Sequence, residues 1–150
     1  MNNLREPLTS WSFGATDETA LGAYTEELVK FAQECLKSPG EKSALIACRA
    51  TRNIWDTAEG MIYENIPLNP EQLAKSIEGI RFGVDAVSQM DLTGMDSHKA
   101  GHVAQMIAAM KERHEDLTVL LNDGKMAFIN RLRSSRRIVD RAPKEAPLGI

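Results

Sequence analysis

From Leu21 to Phe128 the apolar residues of this chain recur at steps of three and four. No stretch alternates apolar and polar residues with the period of two that a half-buried strand requires. Steps of three and four place side chains on one face of a helix. A chain patterned this way folds by laying apolar helical stripes against one another, so the expected class is all-α, a helical bundle of four or five helices.

Four stretches carry the pattern. In the first, Leu21, Tyr24, Leu28, Phe31 and Cys35 form the stripe. Thr16 is the expected N-cap, Asp17 and Glu18 suit the positive first turn, and Ser38-Pro39-Gly40 ends the helix. The second begins near Glu41 and carries Ala44, Ala47, Thr51, Ile54, Trp55, Ala58, Met61 and Ile62. Its small residues admit a close neighbour, and Asn65-Ile66-Pro67 closes it. The third opens with Asn69 as cap, Pro70 at the first helical position and Gln72 in a capping-box pattern. Leu73, Ile77, Ile80, Val84 and Val87 follow, flanked by Gly79 and Gly83, which read as a close-packing notch or a weak point. A loop around Leu92-Thr93-Gly94 leads to Asp96, the expected cap of the next helix.

The fourth stretch is the most regular. Val103, Ile107, Met110, His114, Leu117, Leu121, Gly124 and Phe128 are separated by 4, 3, 4, 3, 4, 3 and 4 residues, the spacing of a narrow packing seam. Two courses are open. The heptads favour one long or kinked C-terminal helix from about residue 97 to 140. The turn signal Asn122-Asp123-Gly124 instead allows a break, with a fifth helix returning Met126, Ile129 and Leu132 to the bundle. Residues 1–15 read as an irregular arm bearing Trp11 and Phe13, residues 16–142 as the bundle, and residues 143–150, with Pro143 and Pro147, as an irregular tail.

An apolar fraction of 43% suffices for a core, and 5% aromatics make that core aliphatic and methionine-rich. No apolar run reaches the 18 residues of a membrane span, and Met1 to Ala15 lack a basic stretch followed by an apolar block, so neither a membrane span nor a signal peptide is expected. Cys35 and Cys48 match no zinc spacing and form no disulfide framework, which points to a reducing, cytoplasmic setting.

Residue types that carry chemistry are present without a catalytic pattern. His98 and His102 are four apart and share a helix face that can grip one metal ion. They lack the intervening glutamate of the HExxH pattern. His114 lies twelve residues beyond His102, about 18 Å along a helix, and cannot join them within one chain. It sits instead in the seam, where a polar, protonatable residue can set register or make association depend on pH. Glu26, Glu27, Asp56, Glu59, Glu112, Glu115 and Asp116 fit the polar faces of amphipathic helices. Phosphate-binding and nucleophile-elbow motifs are absent, so no cofactor is expected. Cys48 adjoins Arg49, a cation that can activate a thiol, yet it lies near the apolar face of its helix and reads as a core residue.

Charge is unevenly spread. Residues 125–150 hold seven Lys or Arg against Asp140 and Glu145, a net +5, so of the total of −3 the preceding residues carry −8. Arg131, Arg133, Arg136, Arg137, Arg141 and Lys144 form the cationic end that could meet phosphates, without interleaved aromatics for base stacking.

The leading expectation is therefore a non-enzymatic protein-interaction module of the adaptor, chaperone or regulator type, forming a homo-oligomer through Val103, Ile107, Met110, His114, Leu117, Leu121 and Phe128, with Trp11 and Phe13 capping the bundle or anchoring a partner. The alternatives are a nucleic-acid-binding regulator using Arg131, Arg133, Arg136, Arg137 and Arg141, and a metal-binding bundle using His98 and His102.

Overall fold

The computed structural model describes residues 17–38 and 40–135. The arm with Trp11 and Phe13, Thr16, and the tail with Arg136, Arg137, Arg141 and Lys144 lie outside the described residues. Within them the chain is all-α: α1 (Glu18–Lys37), α2 (Glu41–Tyr63), α3 (Pro70–Ser88), α4 (Ser97–Asp123) and α5 (Lys125–Ser134).

The helix starts follow from local chemistry. Asp17, not Thr16, caps α1: its carboxylate accepts the Ala20 N–H at 2.9 Å, the bond an N-cap makes three residues ahead. Asn69 caps α3 through the N–H groups of Glu71 and Gln72, with Pro70 behind it as expected. Gln72 does not complete a capping box; its side chain donates instead to Ser76, at 3.4 Å. Asp96 caps α4 by accepting from Lys99.

The C-terminal segment takes the second of its two courses. The helix breaks at Gly124, whose φ of 94° and ψ of 175° lie in a region that side chains with a Cβ essentially do not enter. Arg131 then contacts Asp116. Along a straight helix their fifteen-residue separation would be about 22 Å, so α5 runs back along α4.

Pair contacts set the arrangement of the helices. Gly22 lies against Gln72, Thr25 against Ser76, and Leu28 against Gly83, so α1 and α3 are parallel neighbours. Glu41 meets His102, Cys48 approaches Met106, and Trp55 meets Asp116, so α2 and α4 are parallel too. Each of α1 and α4 packs on both α2 and α3, while α2 and α3 scarcely touch. The bundle is thus a square with α2 and α3 at opposite corners, and residues 64–69 cross its end diagonally. The predicted stripes of the first three helices fill the centre: Leu21, Tyr24, Leu28, Phe31, Ile54, Ala58 and Ile80 are fully buried.

Gly79 and Gly83 are close-packing notches. A Cβ on Gly79 would stand 3.1 Å from Thr25 Cγ2. One on Gly83 would stand 3.0 Å from Leu28 Cδ1 and 3.2 Å from Met110 Cε. The missing side chains let α1 approach α3, and there the Thr25 and Ser76 hydroxyls bond at 2.7 Å in the buried interface.

Candidate functional site

The two parallel helix pairs present different outer faces. On the α2–α4 side, α5 covers part of the surface. Phe128, Ile129 and Leu132 are fully buried beneath it, and the Phe128 ring lies 6.3 Å from that of Trp55. A buried polar cluster locks the junction. Asp116 is fully buried; it accepts the Trp55 indole N–H at 2.9 Å and the Arg131 Nε–H at 2.6 Å. Arg131 also donates to Glu115 at 3.1 Å, and the two carboxylates hold its guanidinium firmly in the charged form, Asp116 most strongly. The guanidinium of Arg113 lies 5.3 Å from the centre of the Trp55 ring, within cation–π range.

On the α1–α3 side no described helix covers the surface. An open groove of about 510 Å³ runs between Val29 and Gln33 of α1 and Ala74, Lys75, Glu78, Gly79 and Phe82 of α3. Gly79 forms its floor, and the charged heads of Lys75 and Glu78 stand at its rim. Leu36, one of the few large apolar side chains left exposed among the described residues, follows Val29 by two turns along α1.

The seam residues divide between core and edge. Val103, Met110, Leu117 and Phe128 are fully buried in the chain's own core, whereas Ile107, His114 and Leu121 are half-buried at its margin. His114 lines a cavity of about 270 Å³ with Arg81, Val84, Lys111 and Glu115, between α3 and α4. Burial, and after it the Arg81 charge, push its imidazole below the ordinary 6.5, against the opposing pull of Glu115, Glu78 and Asp85.

His98 is exposed, and His102 Nδ1 is engaged 2.9 Å from Glu41 Oε2. No cluster of three or more metal-ligating side chains occurs among the described residues. Of the cationic set, Arg131 is tied to Asp116 and Glu115, and Arg133 is exposed. Burial pushes the Cys48 thiol up, against the pull of Arg113 and Arg52, and pushes Cys35 up to about 11; both are free cysteines without the character of activated nucleophiles.

Three carboxylates expected on polar faces are buried: Asp116, and nearly so Glu27 and Glu59. The sequence signals that mark the site are indirect. A break at Gly124 brings Arg131 back along the helix towards Asp116, and the paired glycines of α3 mark the line along which α1 and its groove lie.

The geometry defines a four-helix square with a fifth helix strapped over one face and an open apolar groove on the other. No family model matches the sequence, and no curated protein or solved structure matches it. Among the described residues, no helix is long and apolar enough to cross a membrane.

Proposed function

We propose that this chain is a non-enzymatic protein-interaction module that takes up amphipathic helices, a second copy of itself among them, in the reducing environment of the cytoplasm. The observation that carries the reading is the difference between the two parallel-helix faces. α5 illustrates how a helix sits on the α2–α4 pair, with apolar side chains inward and Arg131 gripping carboxylates at the edge. The α1–α3 groove offers the same kind of surface: apolar walls from Val29, Ala74 and Phe82, a glycine floor, and rim charges of both signs. Such a groove takes a helix through anchors at steps of three and four. Ile107, His114 and Leu121 form the part of the seam that a second copy can reach in this conformation. The free thiols of Cys35 and Cys48 are consistent with a reducing setting.

Light scattering tests the self-association. A mass above that of one chain at high micromolar concentration is expected, and a strict monomer removes that part of the reading. Phe82→Asp tests the groove. Any helix the chain binds should be released by this variant at unchanged helical circular dichroism; equal binding by both proteins rejects the groove as its seat.

A further inference from the structure

We propose that α5 is an exchangeable strap: the chain straightens at Gly124, and two copies each seat α5 on the other's α2–α4 face. The inference rests on the self-association proposed above and specifies how it occurs.

Three observations converge on it. The connection between α4 and α5 is one residue, Gly124, held at φ 94° and ψ 175°. A Cβ there would meet nothing within 4 Å, so what the position demands of glycine is backbone conformation, not space. Short, constrained connections of this kind favour exchange between copies. Next, the three-and-four spacing from Val103 to Phe128 runs through Gly124 without a shift in register. The pattern suits an uninterrupted helix as well as a broken one. Finally, the return of α5 leaves its first turn without a side-chain cap. In a continuous helix the N–H groups of Lys125, Met126 and Ala127 would bond the carbonyls of Leu121, Asn122 and Asp123.

The contacts that seat α5 are compatible with exchange. Phe128 on Trp55, Arg131 on Asp116 and Glu115, and Lys125 on Asn65 are all made by side chains. Arg131 stands seven residues after Gly124 and Asp116 eight before it. Two straightened copies crossing antiparallel at Gly124 therefore reproduce this register in trans, with a two-fold axis at the paired glycines. The closed chain and the exchanged pair bury the same surfaces. They differ at the hinge, where the continuous helix satisfies three backbone donors and holds Gly124 in a helical conformation.

Exchange is read by the hinge and by a cross-link. Gly124→Ala, disfavoured in the closed conformation and favoured in a helix, should lower the concentration at which pairs form by about tenfold or more. Lengthening the hinge with Gly-Ser-Gly-Ser after Gly124 should leave a folded monomer. For the cross-link, Cys35 and Cys48 are replaced by Ala. One chain carries Glu112→Cys and another Ser135→Cys, two exposed positions that line one cavity across α4 and α5. Refolded together and oxidised, the two chains should form a reducible heterodimer. The mixture is run with the native hinge as well as with Gly124→Ala, so the assay decides even where the hinge variant does not fold. Self-association of the native chain that persists with the lengthened hinge, with no cross-link between the two chains, overturns exchange and leaves self-association standing. Strict monomers throughout overturn both.

Discussion

Asp116 is the residue on which the α2, α4 and α5 junction turns. A buried carboxylate is costly unless charge and hydrogen bonds compensate it, and here an indole and a guanidinium do so. Asp116→Asn keeps the shape but loses one of the two bonds, because the amide nitrogen that replaces a carboxylate oxygen cannot accept, and should cost about 2 kcal/mol in urea unfolding; a loss under a few tenths would show that the cluster contributes little. Its role is invisible in the sequence, because neither partner lies within one helical turn of it: Trp55 precedes it by 61 residues, and Arg131 follows across the break. Spacing alone makes Asp116 one more polar-face carboxylate beside Glu112 and Glu115. His114 gives a second residue-level test. Its proton affinity is lower in the folded than in the unfolded chain, so the unfolded state binds more protons as pH falls through 6.5. Stability should thus be fully present above about pH 6.5 and decline below it. His114→Asn should flatten that decline between pH 7.5 and 5.5 in denaturant midpoints; an unchanged slope would assign it to other groups.

Among the elements, the first three helices were legible because their stripes face one core. Leu21 through Cys35 and Leu73 through Val87 are buried as the periodicity requires. The seam of α4 was legible only in part. Its buried line runs through Val103, Met106, Met110, Leu117 and Leu120, because the helix packs between α2 and α3 on one side and receives α5 on another. Two broad contacts spread burial beyond one narrow stripe, leaving Ile107 and Leu121 at the margin. The α1–α3 groove was illegible, since a groove is a relation between two helices and Val29 and Phe82 fall outside both stripes. Glycines distinguish the elements experimentally. Gly101 lies exposed in α4 with open space where a Cβ would stand, so Gly101→Ala should stabilise by about 1 kcal/mol. At Gly83 the same change gains that helix propensity but crowds Leu28 and Met110, and overpacking costs about 1–3 kcal/mol. Thermal unfolding should rank Gly101→Ala above the parent chain and Gly83→Ala below Gly101→Ala; the reverse order would mean the α1–α3 contact is loose.

For the molecule as a whole, α5 is small but not dispensable. Burying Phe128, Ile129 and Leu132 contributes about 1.5–3 kcal/mol each, an upper estimate that together rivals the roughly 5–15 kcal/mol net stability of a domain. A chain ending at Asp123 should therefore lose its near-ultraviolet circular dichroism at 25 °C while keeping much of its helical signal; a sharp native-like spectrum would show that four helices suffice. The diagonal crossing of residues 64–69 has a consequence of another kind. It makes partners of helices that are not consecutive: Thr25 waits for Ser76, 51 residues on, and Trp55 for Asp116. Up-and-down bundles settle through local hairpins, whereas this connectivity raises contact order and slows the search for the native state. During synthesis α1 and α2 can cover only part of each other's inner faces, and the rest stays bare until α3 and α4 have left the ribosome, a window in which the nascent chain is most prone to aggregate and most in need of a chaperone.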